Sequence, residues 1–365
     1  MTRASLWSLL SPRRAVDRLP PPALRALLIA ALLGLLVVPL RLDNYRLTLL
    51  TNICVYAMLG LGLNIVVGFA GLLDLGYAAF FAIGAYATAY LLTTPTIAIG
   101  SWSVTFPVPS FWLMLPLSAL LAAAFGVLIG APTLRLRSDY LAIVTLGFGE
   151  ITRISATNLD WTGGPNGLFA VPQPTFRGFT FTLPLHYYYL SLALLLITLF
   201  CVARLAHSRI GRAWAYIRED ELAAAAMGID TVRLKLLAYA LGAMWGGMAG
   251  AFLAVQLSAV SPESFTFNQS VQILIIVVLG GLGSIPGVIL GAVVVASTPE
   301  LLRSLPADLI NWRLLLFSLA LIALMILRPQ GLWPNRQRSR ELHTPEGGIA
   351  DTAGGVAGVE APQQH

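Results

Sequence analysis

What this sequence lacks most is charge. Only 11% of its 365 residues are Asp, Glu, Lys or Arg, while 57% are hydrophobic. A soluble domain carries about 25% charged and roughly 45–50% apolar residues. A chain this long with so little charge cannot cover a water-facing surface, so the composition defines a polytopic membrane protein. Lysine is scarcer still. Of 23 basic residues only Lys235 is a lysine, and it stands between Leu234 and Leu236, not in the Gly-Lys-Ser/Thr of a phosphate-cradling loop. The chain therefore binds no nucleotide by that motif. The two cysteines, Cys54 and Cys201, lie in apolar runs and read as small hydrophobes, not as a disulfide framework.

Catalytic and metal motifs are missing as well. There is no His-Glu-x-x-His, Gly-x-Ser-x-Gly or Cys-x-x-Cys, and His186, His207, His343 and His365 do not cluster. Gly281-Leu-Gly283-Ser-Ile-Pro286 fails as a dinucleotide fingerprint, because Pro holds its last position and no strand precedes it. The sequence implies no enzyme, no cofactor and no metal. Its net charge of +6 is no nucleic-acid signal, because the basic residues flank apolar segments, where they report topology.

What is present is a series of apolar runs close to the roughly 20 residues that cross a bilayer as a helix. They fall at 24–41, 47–68, 75–94, 111–131, 140–157, 187–205, 236–257, 270–284, 287–299 and 312–328. The expected fold is an all-α polytopic membrane protein with about 10 spans. The eighth and ninth runs are short and separated by glycines and a proline, so they form two spans or one broken element. Eight spans satisfy the same parity if two pieces are re-entrant. Arg3, Arg13, Arg14, Arg18 and Arg25 precede the first run, and no small-x-small site follows it; it is expected to be a retained span.

Loop charge sets the orientation. The N-terminal segment 1–23, the loop 132–139 with Arg135 and Arg137, the loop 204–235, and the tail with Arg336, Arg338 and Arg340 are basic. The segments 95–110, 156–186 and 259–268 are nearly free of basic residues. The positive-inside rule places the first group, and both termini, in the cytoplasm. The Pro-, Gly- and aromatic-rich loop 156–186 is expected to fold as an external cap of turns. The polar tail 335–365 is expected to be disordered.

Gly126 and Gly130, Gly242, Gly246 and Gly250, and Gly287 and Gly291 recur four residues apart, a spacing that lets helices in lipid approach closely. Gly68–Gly76 and Gly280–Gly287 are both glycine-interrupted apolar stretches, such as transporters carry in corresponding positions of two repeats. Ionisable groups within spans mark candidate pathway positions. Here they are Asp74, Glu150 and Arg153, with Asn64 as a polar companion. Glu150 and Arg153 are three apart on one helix face and can pair, as a structural bridge or as part of a pathway lining. Asp74 sits at the cytoplasmic interface, caps a helix start or faces the pathway. Asn64 is expected to join helices.

The loop 204–235 carries the most informative stretch. Residues 219–227 are expected to form a short helix, with Glu219, Asp220 and Glu221 at its N-terminal end, where the macrodipole favours acids. Gly228 is expected to end it. Ala223–Ala226 leave a small, bare face suited to docking in a partner's groove.

Several stretches resemble the permease subunits of branched-chain amino acid ABC importers. They are Leu134–Ile151, Thr162–Gly167, Gly211–Ile229, Val260–Phe267, Val278–Gly287 and Arg328–Pro334. In this order they extend over roughly 47–334. Urea and amide importers use related permeases. The resemblance implies a permease domain at 24–334, paired with a second homologous permease. It further implies two ATP-binding subunits on the cytoplasmic side, a periplasmic binding protein that delivers substrate, and a bacterial inner-membrane location. It casts Arg218, Glu219, Asp220, Glu221, Ala223, Ala224 and Gly228 as the ATPase-coupling segment. The docking pattern Glu-Ala-Ala-x-x-x-Gly aligns with Leu222-Ala223-Ala224-x-x-x-Gly228, with Leu in place of Glu and Glu221 one position earlier. An ion-coupled carrier using Glu150 and Asp74, or a passive urea-type channel, would need no such helix.

Overall fold

A computed structural model describes residues 33–93, 96–99, 102–105, 110–133, 138–176, 178–303 and 331–333. The first half of the run 24–41, the run 312–328, the segment 1–23, the loop arginines Arg135 and Arg137, and the tail 335–365 lie outside the described residues. Ten α-helices are described: α1 Asn44–Leu63, α2 Ala78–Thr93, α3 Phe111–Thr133, α4 Ser138–Asn158, α5 Pro184–Ala206, α6 Arg209–Glu219, α7 Glu221–Ala226, α8 Thr231–Leu257, α9 Phe267–Gly280 and α10 Ile285–Arg303. Three two-stranded antiparallel pairs join short strands: β1 Thr96–Ile99 with β2 Trp102–Thr105, β3 Leu168–Phe169 with β6 Ala259–Val260, and β4 Thr175–Phe176 with β5 Phe179–Thr180.

Four segments are long and apolar enough to cross a membrane: Asn44–Phe69, α3, α5 and α8. Helices α2, α9 and α10 are apolar but shorter. The helix expected at 140–157 is present as α4, yet Glu150 and Arg153 make it less apolar than those four. Their burial separates the spans into two classes. Asn44–Phe69 and α8 have 78% and 67% of their most apolar stretch buried, against 39% and 33% for α3 and α5. The first pair therefore forms the centre. The second turns Leu113, Leu120, Leu128, Ile197 and Phe200 outward, where lipid would meet them.

Helix α8 is the hub, and its glycines explain why. A Cβ at Gly247 would overlap Ala122, one at Gly250 would overlap Phe81 O, and one at Gly84 of α2 would overlap Gly247 O. Gly126 of α3 approaches Ala243, and Gly242 approaches Val66 and Gly62 of α1. The small-residue spacing thus serves packing within this chain, where bare backbones come close enough for dispersion to act in lipid. Thr88 and Ser118 add a buried hydroxyl pair between α2 and α3 at 2.7 Å.

Two helices break, each at a glycine-rich stretch expected to do so. Helix α1 widens into a π-helical turn, Asn64–Phe69, and then unwinds. Helices α9 and α10 are separated by Gly281–Ser284 and fold back antiparallel. Gly291 packs on Ile276 O, and Gly287 on Gly280 O. The eighth and ninth runs are therefore two helices of a tight hairpin, not one kinked span. Gly281 (φ 114°) and Gly283 (φ 76°) supply the left-handed backbone that the reversal needs.

The loop 156–186 folds as the expected cap of turns. Two 3₁₀ turns, Asp160–Thr162 and Gly164–Asn166, lead into β3. Pairing of β3 with β6 fixes the end of α4 to the end of α8.

Candidate functional site

The end of the bundle opposite this cap collects most of the singled-out residues. Helix α6 begins at Ser208, whose hydroxyl accepts from Gly211 N at 3.2 Å. Trp214, fully buried, donates its indole N–H to Leu234 O at 2.8 Å and ties α6 to the start of α8. The short helix is narrower than expected. Glu219 ends α6, and Asp220 turns extended (φ −150°, ψ 110°) to start α7 at Glu221. Asp220 Oδ1 accepts from Leu222 N (2.8 Å) and Ala223 N (3.0 Å). This satisfies two of the donors a helix start leaves free. Gly228 (φ 83°) follows the last turn, as a C-terminal glycine should.

Two attachments fix α7 to the body. Ala224 is buried, and Glu221 pairs with Lys235 Nζ at 2.5 Å. The Lys235 side chain is 9% exposed and that of Glu221 50%, so the only lysine of the chain anchors the short helix to α8. The remaining face is open. Leu222 and Met227 are each 83% exposed, and Ala223, Ala225, Ala226 and Gly228 are exposed between them. The small apolar face expected at Ala223–Ala226 is present, less Ala224 and flanked by two large apolar side chains. Arg218 faces the other way. Its Nη1 donates to Gly68 O at 2.8 Å, and its methylenes lie over Gly71, whose absent Cβ would stand 2.5 Å from Arg218 Cγ.

Asn64 has the joining role expected of it. It is wholly buried, and its Oδ1 accepts from Gly283 N at 2.9 Å, linking the break after α1 to the break between α9 and α10. The two glycine-broken stretches are in direct contact. A Cβ at Gly68 would lie 2.6 Å from Gly283 N and would overlap the Asn64 amide. The chain returns to the same point from further on. Leu332 N donates to Leu279 O (2.8 Å), Trp333 N to Gly280 O (3.0 Å), and Gly331 sits on Gly281.

Asp74 is 1% exposed. Its Oδ1 accepts from Gly76 N at 2.9 Å in the turn that starts α2. The bond holds the turn that precedes α2 and does not reach the first residue of the helix, Ala78. Two neighbouring groups complete that turn. Leu75 N donates to Thr145 Oγ1 of α4 (3.1 Å), and Ala78 N donates to Ser270 Oγ of α9 (3.0 Å). Asp74 Oδ2 and the Tyr239 hydroxyl are both buried without a hydrogen-bond partner of good geometry.

Glu150 and Arg153 pair as expected, Nε to Oε2 at 2.9 Å, with side chains 34% and 32% exposed. Glu150 also lines a shallow crevice between α2, α4 and α9, together with Leu75, Leu146, Phe265, Phe267 and Ser270. Asn64, Asp74 and the Glu150–Arg153 pair therefore do not form one cluster. Asn64 lies in the break after α1 and Asp74 in the unwound stretch that follows it, while Glu150 and Arg153 pair on α4, whose Thr145 and Gly149 pack on the Leu75–Gly76 turn beside Asp74. Among the described residues no three His, Cys, Asp or Glu side chains gather into a metal-binding group.

A helix bundle with lipid-type outer faces, two glycine-broken elements in its interior and a short helix projecting from one end is a polytopic all-α membrane protein. The sequence family described as branched-chain amino acid transport system, permease component, matches residues 45–326. The chain belongs to that family. It is 42% identical over 333 residues to the high-affinity branched-chain amino acid transport system permease protein LivM of Escherichia coli K12, covering 84% of this chain and 75% of that protein. It is 41% identical over 331 residues to the LivM protein of Salmonella typhimurium, covering 83% and 74%. A LivH permease of Salmonella typhimurium is 24% identical over 302 residues, covering 75% of this chain and 92% of its own. No solved structure matches the chain significantly.

Proposed function

We propose that this chain is the transmembrane permease subunit of an ATP-driven ABC importer. It translocates branched-chain or related hydrophobic amino acids delivered by a periplasmic binding protein. The observation that carries the reading is the projecting helix α7. Its apolar face, Leu222 to Gly228, is open, while Ala224 and the Glu221–Lys235 pair hold its back to the body. An apolar face kept open to water on an otherwise anchored helix is an interaction surface. Residues 204–235 thus form the cytoplasmic coupling loop of a permease domain spanning 24–334, flanked by cytoplasmic segments 1–23 and 335–365. Two ATP-binding subunits dock there and perform the hydrolysis, and a second permease of LivH type completes the pair. The protein crosses the inner membrane about ten times with both termini inside, and the β3–β6 cap faces outward. Glu150, at the edge of the crevice, is the pathway residue of the set, with Arg153 balancing its charge.

The test is reconstitution of this chain with its sister permease, the ATPases and a binding protein in proteoliposomes. Leucine, isoleucine or valine uptake that requires ATP and survives an ionophore is the expected result. Uptake that collapses with the ionophore, or proceeds without ATP, overturns the reading. Uptake of urea or amides with the branched amino acids ignored overturns the substrate.

A further inference from the structure

Arg218 was grouped by sequence with the residues that meet a partner, but its side chain points into the bundle. It passes over Gly71 and donates to Gly68 O, in the last turn of the π-helical segment after α1. Carbonyls in the last turn of a helix lack intrahelical partners, and a cation there also complements the negative end of the dipole. The guanidinium thus supplies what the broken helix end needs. Gly68 touches the second break at Gly283, where Asn64 Oδ1 accepts from Gly283 N. A continuous chain of short contacts therefore runs from α6 through Arg218 to the break after α1, and through Asn64 to the break between α9 and α10.

We propose that Arg218 is a positioning residue that couples the docking helix to the two glycine breaks, and that Asn64 carries the displacement from the first break to the second. The proposal rests on the ABC-permease reading. Three features suit these residues to the task. Helices α6 and α7 are joined by a single extended residue, Asp220, and α6 is fixed at its middle through Trp214. A force on α7 therefore reaches the C-terminal end of α6 through Asp220, and Arg218 lies at that end, beyond the Trp214 anchor. The breaks are the places where backbone hydrogen bonding is already interrupted, so dihedral change there costs least. Glycines at 68, 71, 281 and 283 give the backbone conformational freedom for that change, the last three with φ of 73°, 114° and 76°.

The experiment compares Arg218→Met, which keeps the stem and removes the donor, with Arg218→Lys, which keeps a donor. Each is purified as the full complex with ATPases and sister permease, and reconstituted with binding protein. The readouts are the stimulation of ATP hydrolysis by substrate-loaded binding protein and the substrate moved per ATP. For Arg218→Met, the complex should co-purify intact while both readouts fall about tenfold, within the range usual for coupling between sites. Arg218→Lys should recover most of the loss. Asn64→Leu should leave ATPase stimulation near wild type and lower the substrate moved per ATP, because it breaks the relay downstream. Wild-type coupling in Arg218→Met overturns the proposal. So does equal loss in Arg218→Lys, which would make the donor irrelevant, or failure of the Met variant to assemble, which would make Arg218 a residue of folding. If the wild-type complex itself shows no stimulation, the permease reading fails, and the relay falls with it.

Discussion

At one end of the bundle, paired strands fasten main chain to main chain; at the other, side chains make most of the ties between elements, beside the two backbone bonds of Leu332 and Trp333. The capped end joins Leu168–Phe169 to Ala259–Val260 as paired strands, and Val171 N adds a bond to Ser258 O at 3.2 Å. Thr162 Oγ1 ties the turn back to Ala156 O at 2.7 Å. The coupling end depends on Arg218 to Gly68, Asn64 to Gly283, Trp214 to Leu234 and Glu221 to Lys235. A strand pair yields only by losing several bonds together, whereas a side chain can exchange one acceptor for another through a rotamer change. On the proposed permease reading, this difference suits the capped end to serve as the frame and the end bearing α7 to move.

The largest effect should come from breaking the frame. Gly167 has φ 81° and ψ −167°, a region open essentially to glycine alone, and a Cβ there would overlap Val260 O. Gly167→Val should cost about 3 kcal/mol or more, since strain and a clash act together. A drop of many degrees in the thermal unfolding midpoint in detergent is the expected signature. An unchanged midpoint would mean that this end is not the frame.

Next comes the open face of α7. Leu222→Asp puts a charge on a position that is 83% exposed, so this subunit's own unfolding midpoint should hold. Co-purification of the ATPases should fall by about tenfold or more, as truncation at a buried interface position does. Undiminished co-purification would move the docking surface elsewhere.

A smaller effect is expected at Lys235→Met. The variant removes the partner of Glu221 but retains the apolar stem. Helix α7 should loosen without global unfolding, read as faster hydrogen exchange or proteolysis confined to 219–230. Exchange that spreads into α8 would show that Lys235 supports the hub itself.

The smallest stability change should be at Glu150 and Arg153. An exposed i,i+3 ion pair on a helix contributes about 0.3–0.5 kcal/mol. Glu150→Gln or Arg153→Gln alone should impair uptake more than it shifts the unfolding midpoint. The exchanged pair, Glu150→Arg with Arg153→Glu, should recover part of the uptake if pairing is what matters. No recovery would assign Glu150 a role independent of its partner.

Much of this arrangement was legible in the sequence wherever the signal is local. Sparse charge gave the membrane class, glycine runs located both breaks, and spacing of three paired Glu150 with Arg153. Gly228 announced the end of the short helix. Its start was misplaced because Glu219 and Asp220 look alike as helix-start acids; only the backbone distinguishes the residue that ends α6 from the cap of α7. The contacts that define the coupling end were not legible. Arg218 and Gly68 are 150 residues apart, and Asn64 and Gly283 are 219 apart. No periodicity connects such positions. Lys235 could be read only for what it excludes, because nothing local points from it to Glu221. The hairpin of α9 and α10 was open for a related reason: a glycine–proline interruption is compatible with a kink or with a full reversal, and tertiary contact between Gly280 and Gly287 decides between them.

The return of Gly331–Trp333 to the carbonyls of Leu279 and Gly280 has a consequence for the order of synthesis. A chain still on the ribosome and shorter than about 330 residues has both broken stretches in the bilayer but cannot yet cover those two carbonyls. Exposed polar backbone in lipid is costly, so the nascent protein should retain water, or an assisting factor, at this point until the last segment arrives. The break between α9 and α10 is thus sealed only some fifty residues after it is made, and early stop codons before Gly331 should leave an inserted but unsealed protein.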